Sequence, residues 1–251
     1  MRIVSLCPSL TELVFDLGLG EDLVGVTKFC VHPEEGVRGI EKVGGTKDPK
    51  VARIVELQPD LVLLNEEENR IEDAEALREA SVPCHASMPR TIAETADMVR
   101  SIARALDRDG EGQRIAADIE TRAARVKEES EGRERVPFAY LIWRGPWMSV
   151  NRDTFAHALL EHAGGRNVFG DRDDRYPEIT LEELKQADPR LVLLCTEPFP
   201  FEAKHVDELV SGTGLAPERF SIADGEYLSW HGSRTPDGID YAARLIDSGT
   251  H

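Results

Sequence analysis

Three side chains of types that bind transition metals stand in segments predicted to be loops: Cys30, His32 and His231. Thiolate and imidazole groups suit such metals, so these residues are candidate ligands of a metal site. Loop histidines also act as ordinary hydrogen-bonding groups, and the sequence leaves that interpretation of His32 and His231 open. No C-x-x-C or zinc-finger spacing links the four cysteines, and the sequence does not decide whether Cys7 pairs with Cys30.

Short motifs that carry common enzymatic chemistry are absent from the sequence. It has no G-x-S-x-G elbow, no G-x-x-x-x-G-K-[ST] phosphate loop, no H-E-x-x-H helix and no G-x-G-x-x-G loop. We therefore expect a protein that binds a ligand without catalysing a reaction. On the alternative hypothesis of an enzyme, the acid–base candidates are Glu67, Asp224 and His231.

All three tryptophans, Trp143, Trp147 and Trp230, fall in loops that come after predicted strands. In parallel α/β folds, ligands bind beyond the carboxyl ends of the strands. Aromatic side chains there suit a large flat ligand, because each buries about 150–250 Å² with little rotamer entropy to lose. We predict that the three tryptophans contact such a ligand, together with His231 next to Trp230.

The sequence repeats one plan twice. Residues 2–25 and residues 138–170 each have the order strand, turn, helix and glycine. In the first copy Ser9 or Thr11 is the predicted helix cap, and in the second Asp153 or Thr154. Residues 53–67 and 181–197 form a second matched pair, each a short helix, a proline turn and a buried apolar strand. Apolar strands alternating with helices predict two similar α/β lobes with parallel sheets.

A helical stretch separates the two copies. Two apolar stripes at helical spacing, one before and one after a break at residues 107–112, lie within highly charged sequence. A thin apolar stripe with charged flanks is typical of a helical connector. The predicted organisation is a first lobe at 1–88, a connector at 89–134 and a second lobe at 135–251.

The charge balance is strongly acidic, with 30 lysine and arginine residues against 47 aspartate and glutamate residues and a net charge of −17. Such a surface repels phosphate backbones and anionic lipid headgroups, so nucleic acid and membrane surfaces are poor partners. No run of 18 apolar residues predicts a membrane span. The amino terminus lacks a signal-peptide pattern, which predicts a cytoplasmic protein or a trimmed, mature extracytoplasmic one.

With these elements in place, the chain resembles the cobalamin-binding members of the class III periplasmic binding proteins, which capture substrates for ABC importers. The resemblance rests on SLCPSLTELVFDLGLGEDLVGVTKFCVHP at 5–33 and VGGTKDPKVARIVELQPDLVLLN at 43–65. It continues through SVNRDTFAHALLEHAGGRNVFGD at 149–171 and ITLEELKQADPRLVLL at 179–194.

The resemblance implies two Rossmann-like lobes bridged by a rigid helix, with a corrinoid bound between them. Cobalamin carries its own cobalt, so no metal-binding side chain is required. The family pattern places the ligand against five loops, whose matching residues here are Cys7, Pro8, Ser9, Phe29, Cys30, Gly45, Thr46, Trp147 and Trp230.

Docking onto the membrane permease implies one acidic residue on each lobe. In the first lobe Glu72 is the candidate, whereas the expected position in the second lobe reads Gly232. Together with the missing signal peptide, this departure keeps a second hypothesis open: a cytoplasmic binder of haem, an iron chelate or a metal. A third hypothesis is an enzyme that modifies a corrinoid or a metal chelate.

Overall fold

A computed structural model describes residues 1–250, and within them the chain divides into two compact units. The first unit comprises Met1–Pro89, Ala93–Asp118 and His231–Arg234. The second unit comprises Arg90–Ile92, Ile119–Trp230 and the chain from Thr235 onward. The lobe and connector boundaries given above stay predictions.

The first unit contains a four-stranded parallel sheet in the order β2-β1-β3-β4. Its central strands are almost wholly buried, which explains their continuous apolar sequence. The elements in chain order are β1 (Ile3–Ser5), α1 (Pro8–Asp16), β2 (Leu23–Val26), α2 (Glu34–Val37), α3 (Val51–Glu56), β3 (Leu61–Asn65), α4 (Ile71–Glu79) and β4 (Cys84–Ser87).

The second unit repeats that topology, with a four-stranded parallel sheet in the order β6-β5-β7-β8. The two α/β units, each with a four-stranded parallel sheet, confirm the fold class predicted from the repeats. The elements are β5 (Val136–Leu141), α7 (Phe155–His162), β6 (Gly165–Asn167), α8 (Leu181–Ala187), β7 (Leu191–Cys195), α9 (Ala203–Thr213), β8 (Phe220–Ala223), α10 (Gly225–Ser229) and α11 (Thr235–Ser248).

The predicted helix caps are wrong in the first copy and confirmed in the second. Helix α1 begins at Pro8, with Cys7 in the cap position and no side-chain cap. Proline is favoured there because its missing N–H group has no helical partner in any case. Helix α7 begins after Thr154, whose hydroxyl accepts a hydrogen bond from the His157 backbone N–H.

Between the two sheets in sequence lie the helices α5 (Ile92–Ala105) and α6 (Asp109–Ser130). The break between them is shorter than predicted, because Gly112 is helical. A Cβ atom on Gly112 would lie 2.2 Å from the Ala103 Cβ, so glycine allows α5 and α6 to approach closely. Within residues 1–250, no helix is long and apolar enough to cross a membrane.

Candidate functional site

The segments that leave the strands of the first sheet meet at its carboxyl edge. The chain leaves β1 towards β2 on one side and reaches β3 on the other, and such a reversal of strand order forms the usual ligand crevice of a parallel sheet. Most of the residues predicted to contact a ligand in the first unit lie at this edge: Cys7, Pro8 and Ser9 after β1, and Phe29 and Cys30 after β2.

Two buried asparagines link the segments at this edge. Asn65 ends β3, and its Oδ1 accepts hydrogen bonds of 3.0 Å from the backbone N–H groups of Glu67 and Glu68. Its Nδ2 donates to the Ser87 carbonyl at 3.0 Å, at the end of β4. Asn69 donates to the carbonyls of Leu6 and Thr46. Neither residue is among the predicted site residues, although two asparagines four positions apart at the end of a buried apolar strand are a usable signal.

His231 belongs to the first unit and is 7% exposed. Its Nε2 lies 3.0 Å from Asn65 Nδ2, and its Nδ1 lies 3.2 Å from Ser9 Oγ. Because the Asn65 oxygen already accepts from two backbone N–H groups, its nitrogen must be the donor to Nε2. The ring is therefore neutral, with its proton on Nδ1, and it donates to Ser9. Burial lowers the pKa of His231 below its ordinary value, which favours the same neutral form.

The two cysteines at this edge are free thiols held by hydroxyl groups. Cys7 Sγ lies 3.3 Å from Ser9 Oγ. Burial, followed by the negative charge of Glu68, raises the pKa of the Cys7 thiol to about 12. Cys30 is 2% exposed, and its Sγ lies 3.1 Å from both the Thr11 and the Thr27 Oγ1 atoms. Protonated, buried Cys7 is a packing group with hydrogen bonds and a poor nucleophile.

The candidate metal ligands do not gather into one site. Within residues 1–250, no group of three or more His, Cys, Asp or Glu side chains is placed to hold a metal ion. Cys30 and His231 have the hydroxyl and amide partners described above, and His32 is half-buried in the loop after β2. Metal binding by any one of these residues stays a prediction.

Phe29 is the exposed aromatic group of the first edge, with 51% of its surface accessible. The ammonium of Lys28 lies 5.0 Å from its ring centroid. A Cβ atom on Gly45 would lie 2.1 Å from Asp48 Oδ1 and 3.2 Å from Phe29 Cε2, so a side chain at position 45 would displace the Asp48 carboxylate. Thr46, the next residue, is 7% exposed.

The carboxyl edge of the second sheet is aromatic. Beyond β5, residues 143–148 form a hairpin in which Trp143 is 39% exposed and Trp147 is half-buried. Beyond β7, Phe199 packs edge-on against Trp143 at 5.6 Å between centroids, and Phe201 stacks on Trp147 at 6.0 Å. Edge-on and stacked pairs are the favoured geometries for aromatic rings. The two tryptophans are among the predicted site residues, whereas the two phenylalanines are not.

An ion pair fixes the same hairpin from the solvent side. The Arg144 guanidinium makes two hydrogen bonds, of 2.7 and 2.9 Å, to the Glu208 carboxylate on α9. It also lies 5.8 Å from the Trp147 ring centroid. The hydrogen bonds from Arg144, and then its charge, lower the pKa of Glu208. The pair is exposed, so it orients the hairpin more than it stabilises the unit.

Other predicted residues lie in different surroundings. Trp230 is 7% exposed, and its Nε1 donates to the Glu197 carboxylate at 2.9 Å. Asp224 caps α10 by accepting from the Glu226 backbone N–H. Glu72 is exposed in the first turn of α4. Ligand contact by Trp230 and permease docking by Glu72 stay predictions.

The family model for periplasmic binding proteins matches residues 3–213, which is most of the chain. The chain belongs to the periplasmic binding protein family. This finding confirms the predicted family resemblance.

Members of the periplasmic binding protein family with related sequences include the vitamin B12-binding protein of Vibrio parahaemolyticus. It is 28% identical over 191 residues, which cover 76% of this chain and 69% of that protein. The vitamin B12-binding protein of Pectobacterium carotovorum is 25% identical over 199 residues, covering 78% of this chain and 72% of that protein.

Two solved structures have the same fold as this chain. The periplasmic vitamin B12-binding protein BtuF of Vibrio cholerae superposes with a TM-score of 0.85 at 20% identity, covering 99% of this chain and 97% of BtuF. The periplasmic haem-binding protein RhuT of Roseiflexus sp. RS-1 superposes with a TM-score of 0.85 at 26% identity, covering 99% of this chain and 98% of RhuT. The shared fold confirms the predicted two-sheet α/β architecture.

Proposed function

We propose that the protein captures cobalamin or a related corrinoid as the substrate-binding component of an ABC importer, in an extracytoplasmic compartment and without turnover. The observation that carries the proposal is the pair of exposed aromatic side chains at the carboxyl edges of the sheets. Phe29 is 51% exposed and Trp143 is 39% exposed, although most large apolar side chains of the chain are buried. Relatives named as vitamin B12-binding proteins support the choice of ligand.

The aromatic edges fit a broad, flat ligand better than a small polar one. Trp143 is held edge-on by Phe199, and Arg144 is tied to Glu208, so the hairpin is ordered before a ligand arrives. Ordered aromatic groups lose little entropy on binding, which leaves more of the contact energy as affinity.

The state of the candidate metal ligands also favours a corrinoid. Both ring nitrogens of His231 have partners, and the Cys30 thiol lies between two threonine hydroxyls. Recruiting either one to a metal would leave buried polar groups without partners, which is costly. A ligand that brings its own coordinated cobalt makes no such demand.

The test is titration of the purified protein with cyanocobalamin, followed by calorimetry and by the corrinoid absorption spectrum. We expect saturable binding at one ligand per chain, and Trp143→Ala and Phe29→Ala should each weaken it by about tenfold or more. Ile222→Ala is the matched control, because Ile222 is also 39% exposed and lies on β8. Absence of cobalamin binding by the parent protein would contradict the proposal.

Haem is the second candidate ligand, because RhuT, named as haem-binding, is 26% identical over nearly the whole chain. Haem iron needs an axial ligand from the protein, such as histidine or a thiolate. His32 is the candidate whose ring is half-buried in a loop. A Soret band on adding haemin that disappears in His32→Ala, with no spectral change on adding cobalamin, would favour haem over cobalamin.

A further inference from the structure

Asn69 uses its whole side chain to connect three segments of the first unit. Its Nδ2 donates to the Leu6 carbonyl at 2.9 Å and to the Thr46 carbonyl at 3.0 Å. Its Oδ1 accepts from the Asn65 backbone N–H at 2.8 Å. The side chain is 6% exposed, so water cannot take the place of any of these three partners if the bond is lost.

Both carbonyls belong to segments predicted to contact the ligand. Leu6 precedes the Cys7-Pro8-Ser9 turn, and Thr46 comes directly after the two glycines of the next turn. Gly44 has a φ angle of +111°, and its carbonyl accepts from the Lys28 backbone N–H at 2.8 Å. Through this turn the Thr46 carbonyl is connected to the segment that carries Phe29.

An asparagine is needed at this position because the three partners require two donors and one acceptor on a short planar group. Aspartate has the same shape but donates nothing, and it would face two carbonyl oxygens. Serine has one donor on a shorter side chain and leaves at least one carbonyl without a partner. The buried position therefore depends on the amide group itself.

We propose that Asn69 is a positioning residue, which fixes the Cys7–Ser9 turn and the Gly44–Thr46 turn relative to each other in the geometry that binds the ligand. This inference rests on the proposed function for its effect on affinity. Its effect on the two turns does not require a ligand. Asn69 acts through the two carbonyls and need not touch the ligand.

The experiment compares Asn69→Asp and Asn69→Ala with Leu77→Ala in the full chain. Leu77 is the matched control, because it lies on α4 and is fully buried in the same apolar cluster as Leu6, but its side chain cannot hydrogen-bond to either carbonyl. For each variant we would measure cyanocobalamin affinity well below its unfolding midpoint, and amide hydrogen exchange in residues 6–9 and 44–47 without ligand.

We expect both Asn69 variants to bind cyanocobalamin about tenfold more weakly, because the turns must be ordered on binding. Amide hydrogen exchange should become faster in both residues 6–9 and residues 44–47 of each Asn69 variant. Leu77→Ala should lower the unfolding midpoint at least as much, while its affinity stays within about twofold of the parent. Parent-like affinity in the Asn69 variants would overturn the inference, as would unchanged exchange in either segment. If the parent does not bind cobalamin, the proposed function fails, and the exchange data still decide the role of Asn69.

Discussion

The third strands of the two sheets have almost the same sequence, and their last residues differ. Strand β3 reads Leu-Val-Leu-Leu-Asn and ends at Asn65, whereas β7 reads Leu-Val-Leu-Leu-Cys and ends at Cys195. Each strand occupies the same place in its sheet. The four shared residues build the same core, and the fifth begins the loop at the carboxyl edge.

The different fifth residues lead to different chemistry. The Asn65 side chain has four partners, which are two backbone N–H groups, a carbonyl and the His231 ring. Cys195 accepts from the buried Tyr140 hydroxyl at 2.6 Å and donates to the Glu197 carbonyl at 2.8 Å. A polar network therefore organises the first edge, whereas stacked aromatic rings organise the second. Strands with the same apolar sequence can carry either kind of edge, because the apolar residues determine the geometry of the sheet. The loop residues that follow determine the chemistry of the edge.

The largest effect is expected at the aromatic edge. Phe201 is 3% exposed and stacks on Trp147, so Phe201→Ala should lower the free energy of unfolding by about 4 kcal/mol through lost contacts and a cavity. Phe29→Ala, which removes an exposed ring from the first edge, should lower it by less than about 1 kcal/mol. Urea unfolding followed by circular dichroism measures both. If both variants lost the same free energy of unfolding, the buried Phe201 would contribute no more to stability than the exposed Phe29, which would contradict this comparison of the two edges.

The next effect is expected where the two strands differ. Asn65→Cys gives β3 the sequence of β7 but removes the partners of several buried groups, so it should lower the free energy of unfolding by about 3 kcal/mol. Cys195→Ser keeps a donor and an acceptor at the matching position, and it should cost about 1 kcal/mol. Urea unfolding followed by circular dichroism again measures the free energy of unfolding of both variants. A loss in Asn65→Cys no larger than that in Cys195→Ser would contradict the claimed importance of the polar network.

The smallest effect is a pH dependence to which His231, at the polar edge, contributes. Burial lowers the pKa of His231 below its ordinary 6.5, so as the pH falls below 6.5 the unfolded chain takes up this proton before the folded one. The free energy of unfolding should therefore decrease with falling pH in the window just below 6.5. His231→Gln should reduce that slope, while His85 and His157, whose pKa values burial also lowers, keep their share. Identical slopes for parent and variant would rule out a neutral His231 as the cause.

Much of the fold could be predicted from the sequence because the repeated pattern consists of apolar residues at regular spacing. The buried strands β3 and β7 and the helices before them are predicted by runs of leucine and valine bounded by Pro59 and Pro189. Helix ends were less predictable. Ser9 and Thr11 are good caps by type, but both side chains bond to groups at the carboxyl edge, and α1 begins at Pro8 instead.

The candidate site was predictable in its loops and less so in the state of its side chains. Trp143 and Trp230 look alike in sequence, each in a loop after a strand, yet one is 39% exposed and the other 7%. The buried Trp230 donates its indole N–H to Glu197, 33 residues away, whereas the exposed Trp143 packs edge-on against Phe199, 56 residues away. Pairings over such distances in sequence leave no local pattern.

Two α/β units with parallel sheets, an acidic surface, aromatic loops and membership of a binding-protein family are predictable from the residues in order, because apolar periodicity, charge and motif order can be read along the chain. Which polar groups face each other depends on the folded arrangement. His231 reaches Ser9 across 222 residues and Asn65 across 166, and these contacts make it a neutral hydrogen-bonding group within the first edge. Asn69 joins two predicted ligand loops because folding brings the carbonyls of Leu6 and Thr46 to its amide group.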